Sequence, residues 1–183
     1  MTEFTVKTLR MHADNPFELI VVEAAGDWWA ERRRTPPCEQ PFDWPESSSE
    51  QLRINKYLNF TPQIGAIKEV NAGIDIATGE FILGMGNDVL APPHWDTELL
   101  RPFLEQKDCG ASSLSAFEPG AVVGPSQAVN YPAYVEGMYS PFMMFRKGWR
   151  LDEAYHKIYQ DSDLVLRMYE AGLRSYRSCR ARV

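Results

Sequence analysis

The sequence predicts an α/β fold: a mainly parallel sheet in three layers, with helices on both of its faces. Three stretches carry that expectation. Residues 17 to 29, "FELIVVEAAGDWW", contain the unbroken aliphatic run Leu19-Ile20-Val21-Val22, and a run apolar on both faces suits a strand covered by helices. Between Ile64 and Ala77 the apolar residues Ile67, Val70, Ile74 and Ala77 recur at three- and four-residue steps, which is the period of an amphipathic helix. The strand-like "EFILGM" follows at once, so the order strand, helix, strand is that of α/β architecture.

The remaining elements follow in chain order. "MTEFTVKTLRMHADNP" reads as a helix and Leu19 to Val22 as the first buried strand. The stretch "RRRTPPCEQPFDWPESSSEQ" has neither a period of two nor one of 3.6, and its proline, serine and charge make it a long loop. Its three arginines, Arg32, Arg33 and Arg34, lie among prolines and acids and read as a solvated loop face, with a phosphate site as the alternative. Gly79 stands where the helix from Ile64 would end. "DTELLRPFLEQ" reads as a short helix, while "GASSLSAF" and "AVVG" carry strand signals. "YQDSDLVLRMYEAGLRSY" puts Leu164, Met168 and Ala171 on one helical face and closes at Gly172. Met143, Met144 and Phe145 read as core.

The chain has 183 residues, enough for one domain with a substantial core. With 44% apolar and 24% charged residues it is globular in composition, and its net charge of -6 gives no footprint for nucleic acid. Cys38, Cys109 and Cys179 are far apart and odd in number. They suit neither a disulfide framework nor a zinc site, and fit a reducing cytoplasm. The sequence has no run of about 18 apolar residues to span a membrane.

Several residues carry chemistry and each also has a bland explanation. Asn87-Asp88 ends the apolar run "FILGM" before Pro92-Pro93. Such residues make turns, yet ligands of open α/β sheets gather beyond the carboxyl ends of strands. Asp88 there could hold a cation. Glu23 ends the first strand, where a carboxylate can accept hydrogen bonds from a nucleobase or ribose or simply face water; Asp27 is a weaker member of the same group. Asp161 and Asp163 precede a helix, where acids cap free N–H groups. Arg167, four residues after Asp163, is placed for an ion pair. Trp149 and Tyr139 read as core aromatics or as rings that could cover the apolar face of a ligand, and His12, His94 and His156 share no metal-ligand spacing and read as structural or exposed.

Three segments in order, "LIVVEAAGD", "NAGIDIATGEFILGMGNDV" and "MMFRKGWRLDEAYHKIYQDSDLVLRMYEAGLRSY", resemble the inverting glycosyltransferases of the family 2 type. The motifs are Asn71-Ala72-Gly73, Gly79-Glu80, Asn87-Asp88, Leu151-Asp152-Glu153, and Gln160-Asp161-Ser162-Asp163-Leu164 with Arg167. The resemblance implies a single domain over residues 1–183 with the Rossmann-like, A-type nucleotide-sugar-binding core, lacking the family's first strand and C-terminal region. It implies a nucleoside-diphosphate sugar donor, a saccharide or other hydroxyl acceptor, and a divalent cation, Mg²⁺ or Mn²⁺. It further implies Asp161 as catalytic base, Asp88 as metal ligand, and Glu23, Asp27, Asn71 and Asn87 as donor-binding residues. Gly86 occupies the place of the family's first metal-motif acid, and Gln160 that of the acid before the base. Two other readings stay open. One is a non-catalytic module that binds a nucleotide sugar or a partner; the other is a nucleotidyltransferase, although no Gly-rich phosphate loop is found near a first strand.

Overall fold

The computed structural model describes residues 2–24, 54–60, 62–87, 89–115, 133–134, 142–155 and 160–182. The elements are α1 (Thr2–His12), β1 (Ile20–Ala24), β2 (Lys56–Phe60), α2 (Ala66–Ile76), β3 (Phe81–Met85), α3 (Trp95–Glu105), β4 (Cys109–Ser115), β5 (Ala133–Tyr134), β6 (Phe142–Arg146), α4 (Gln160–Glu170) and β7 (Arg174–Arg182). The expected α/β class is the observed one. The loop expected from Arg32 to Gln51, the strand signal "AVVG" and Tyr139 lie outside the described residues. Among the described residues no helix is long and apolar enough to cross a membrane.

The chain groups into two compact units. One comprises Phe17–Gly79 and Arg150–Gln160; the other comprises Met1–Pro16, Glu80–Trp149 and Asp161–Val183.

In the first unit β1 and β2 pair in parallel, Val21 opposite Tyr57 and Glu23 opposite Asn59. Helix α2 lies against one face of β1. A Cβ built on Gly73 would fall 2.9 Å from Val22 Cγ2 and 4.0 Å from Ile20 Cγ2, so the missing side chain is what lets helix and strand approach. Side chains alternate along a strand, and Val21 and Glu23 therefore sit on the face away from α2. The helix stops earlier than Gly79: the N–H of Ala77 bonds the carbonyls of Gly73 and Ile74, and the chain leaves in an extended conformation. Glu69 covers the other end, its Oε1 accepting the N–H groups of Ile64 at 3.0 Å and Gly65 at 3.3 Å. A polar latch ties the helix exit to the strands. Lys56 Nζ donates to the Ile76 carbonyl at 2.6 Å and pairs with Glu18 Oε1 at 2.7 Å. Glu18 Oε2 accepts the N–H and hydroxyl of Thr78 at 2.8 and 3.0 Å. The Lys56 bond, followed by the Thr78 N–H, pulls the Glu18 carboxyl from 4.5 down to about 2.

In the second unit the strand order is β3-β6-β4-β7-β5. β4 and β7 pair in parallel, while β3–β6, β6–β4 and β7–β5 are antiparallel. The parallel pairing expected from the apolar runs is thus present in the two-stranded sheet β1–β2 and at β4–β7, the latter within a five-stranded sheet whose other ladders are antiparallel. β4 carries the core: Ala111, Ser112, Ser113 and Leu114 are fully buried, as is Phe142 of β6. Met143, Met144 and Phe145 are buried as expected. Trp95 of α3 meets Phe142 edge-on, with ring centroids 5.6 Å apart. Cys109 is a free, buried thiol that burial pushes up to about 12, which makes it a packing residue.

The end of α4 follows from Gly172, whose φ of 82° is a left-handed conformation glycine tolerates. The Gly172 N–H bonds the Tyr169 carbonyl and the Leu173 N–H the Met168 carbonyl, each at 2.9 Å, a Schellman cap. Leu173 then folds over β4, where a Cβ on Gly110 would lie 2.9 Å from Leu173 Cβ and 3.2 Å from Met168 Sδ.

Two measurements check this packing. Gly110→Ala should lower the unfolding free energy by about 1–3 kcal/mol, because neither the Leu173 Cβ nor the strand can rotate away. Gly84→Ala, with nothing within 4 Å of the added carbon, should change it by under about 0.5 kcal/mol; equal losses in chemical denaturation would contradict the geometry. The second concerns pH. A carboxyl depressed on folding stabilises fully above its unfolded value and loses that contribution as pH falls through its folded value. Glu18 should therefore make stability decline between pH 4.5 and about 2, and Glu18→Gln should flatten the decline in that window.

Candidate functional site

The expected site residues fall in both units. In the first, Glu23 is exposed near the end of β1, on the face away from α2. Its Oε2 accepts a short hydrogen bond from the Tyr57 hydroxyl. The register explains the meeting: Tyr57 stands opposite Val21, two residues before Glu23, so the two side chains are diagonal neighbours on one face. Burial, and then the Glu23 carboxylate, push the Tyr57 hydroxyl well above its ordinary value, so it remains a proton donor. Sequence reasoning missed Tyr57, because "KYLNF" carries no apolar run. The available signal was the apolar–polar alternation of Leu58, Asn59 and Phe60, which fall half-buried, exposed and half-buried.

Asn71 is 1% exposed. Its Oδ1 accepts the Leu151 N–H at 3.1 Å, and its Nδ2 donates to the Leu151 carbonyl at 3.0 Å and to Glu153 Oε1 at 3.1 Å. The amide thus imitates a backbone partner and fastens the turn at Leu151-Asp152-Glu153 to α2. Arg150 strengthens the junction, pairing with Asp75 at 2.9 Å and approaching Glu153 at 3.7 Å. Asp27 lies outside the described residues.

In the second unit the segment after β3 is held by α1. Asn87 is exposed, and its backbone carbonyl accepts the hydroxyl of buried Thr5 at 2.8 Å. Thr8 Oγ1 accepts the Ala91 N–H at 3.2 Å, and His12 Nδ1 lies 2.6 Å from the Ala91 carbonyl. Trp95 Nε1 donates to the Leu9 carbonyl at 3.1 Å, and the His94 N–H to that of His12 at 2.9 Å. Just beyond α1, the buried Asp96 carboxylate accepts the backbone N–H groups of Asp14 and Asn15. Thr97 and then His94 hold the Asp14 carboxyl below its usual range. His12 and His94 thus serve structure, as expected; His156 lies outside the described residues. Thr5 and Thr8 were also missed, since a threonine on an amphipathic helix carries no sequence signal of a distant partner.

Asp88 lies outside the described residues. Among those described, no group of three or more histidine, cysteine or acidic side chains could hold a metal ion. A hard cation such as Mg²⁺ or Mn²⁺ commonly takes one or two carboxylates, phosphate oxygens and waters, a donor set that a single acid after β3 suits.

Asp161 and Asp163 occupy the first turn of α4. Asp163 makes the expected ion pair, its Oδ2 accepting from Arg167 Nε at 2.8 Å. That pair commits Asp163 to its own helix. Trp149 is half-buried beside the end of β6, its N–H directed at the Arg146 carbonyl.

No family model matches the sequence, and no curated protein matches it. Solved structures do. S. aureus TarS superposes with a TM-score of 0.68 at 14% identity, over 99% of this chain and 33% of that one. TarS 1-349 in complex with UDP gives 0.66 at 16% identity, over 98% of this chain and 56% of that one. The mannosyltransferase PcManGT from Pyrobaculum calidifontis, in complex with GDP-Man and Mn²⁺, gives 0.63 at 15% identity, over 100% of this chain and 52% of that one. The chain spans about half the length of the latter two and a third of the first. Nearly all of it therefore shares the α/β fold of these structures.

Proposed function

We propose that the chain moves a sugar from a nucleoside-diphosphate sugar to an acceptor hydroxyl, with inversion and with the help of a divalent cation. The observation that supports this reading is exposed Glu23 near the end of β1 in a chain whose fold matches, over almost its whole length, structures solved with UDP and with GDP-Man and Mn²⁺. Glu23, with Asp27, is assigned to the nucleoside, and Asp88, with Asn87 beside it, to the cation and diphosphate. Asn71 is assigned a supporting duty, since its amide is already engaged by Leu151 and Glu153.

Transfer breaks the bond between the anomeric carbon and the diphosphate oxygen while the acceptor oxygen attacks from the opposite side, which inverts the centre. The acceptor hydroxyl must lose its proton as it attacks, and Asp161 is assigned as the base that takes it. A bound cation would neutralise the charge that develops on the leaving diphosphate. Holding donor and acceptor in line supplies much of the remaining rate. The net charge of -6 and the buried Cys109 thiol suit a protein of the reducing cytoplasm that binds no nucleic acid.

Calorimetry with UDP tests the metal assignment. Binding should be at least tenfold tighter with Mn²⁺ than with chelator, and Asp88→Ala should erase the difference; equal affinities in all three cases would remove Asp88 from that role.

Sugar transfer tests the base. Asp161→Asn should keep donor binding and lose rate by about 10²–10⁴-fold. Asp163→Asn should cost a few tenths of a kcal/mol in stability through Arg167 and leave the rate within a few-fold. Near-normal transfer by Asp161→Asn would exclude it as the base.

A further inference from the structure

We propose that Tyr57 is a positioning residue that sets nucleobase preference through Glu23, a reading that rests on the assignment of Glu23 to the donor's nucleoside. Three features of the first unit carry it. Gly73 lets α2 pack against the Ile20 and Val22 face of β1. The side chains of Val21, Glu23 and Tyr57 consequently share the other face. On that face the Tyr57 hydroxyl donates to Glu23 Oε2, across the two strands.

The chemistry of the pair determines what it recognises. An ionised carboxylate is an acceptor only. Glu23 is exposed near its strand end, and a glutamate there has three side-chain torsions to restrict before it can meet a ligand in one geometry. The hydroxyl of the half-buried Tyr57 ring fixes one carboxylate oxygen, which lowers that entropic cost and aims the carboxylate. An aimed acceptor favours a base whose pairing edge carries a ring N–H, as in uracil and guanine. It disfavours cytosine and adenine, whose corresponding ring nitrogen presents a lone pair. Rejection of this kind comes from leaving an acceptor facing an acceptor.

UDP and CDP are the probes, because they share ribose and diphosphate and differ at the base edge. Calorimetry in the presence of chelator removes any contribution of a cation. The wild-type chain should bind UDP more tightly than CDP, and Glu23→Ala should abolish that preference. Tyr57→Phe should weaken UDP about tenfold and CDP by less than twofold, with an unchanged melting midpoint. Glu23→Asp keeps the charge but shortens the reach to Tyr57, and should lose the preference as well; this arm holds even where Tyr57→Phe does not fold. A UDP-to-CDP ratio in Tyr57→Phe or Glu23→Asp equal to wild type, alongside its collapse in Glu23→Ala, overturns the role of Tyr57 and leaves that of Glu23 standing. No preference in the wild-type chain, or an unchanged one in Glu23→Ala, overturns both.

Discussion

The close approach of Gly73 to Val22 is the contact on which the first unit depends. Any larger residue at 73 would place a carbon 2.9 Å from Val22 Cγ2, and a β-branched valine has little rotamer freedom with which to retreat. Because the helix sits on that face, the alternation of the strand leaves Glu23 and Tyr57 on the other. The same helix carries Asn71 two residues earlier, buried and bonded to Leu151 and Glu153. One helix thus fixes both the face that Glu23 presents and the turn that its own amide fastens.

In the second unit the equivalent restraint is polar. The end of β3 and the segment up to Trp95 contain two prolines and His94 in a left-handed conformation with φ of 61°, so local propensity alone does not define its path. Helix α1 supplies the definition through Thr5, Thr8, Leu9 and His12, each bonded to a residue more than 75 positions away. Long-range bonds of this kind give Asn87 and Ala91, on either side of that turn-forming stretch, partners that local sequence does not supply.

Much of the fold was legible because its signals are local. The run Leu19 to Val22 announces β1, the spacing of Ile67, Val70 and Ile74 announces α2, and Gly172 marks the end of α4 as the Schellman cap requires. β7 escaped notice because "RSYRSCRAR" has almost no aliphatic side chains; it is a strand because it pairs with buried β4, a tertiary fact that propensity does not contain. β2 and β6 were missed likewise, β6 being read as core without its ladder to β3 and β4. Gly79 misled the reading of α2, whose end is set at Ala77, with Lys56 on the Ile76 carbonyl. At the site, residue types marked Glu23 and Asp161 as candidates, whereas Tyr57 and Thr5 depend on register and on distant partners.

The central claim, that the face of β1 turned away from α2 meets the donor's nucleoside, is tested most directly by a metal-free NMR titration with UDP on the isotopically labelled chain. The account predicts saturable shift changes at the Glu23 carboxylate and the Tyr57 ring, with the methyl groups of Ile20 and Val22 against α2 left nearly still. Shifts concentrated at Ile20, Val22 and Gly73, or saturation that leaves Glu23 and Tyr57 unmoved, would contradict it.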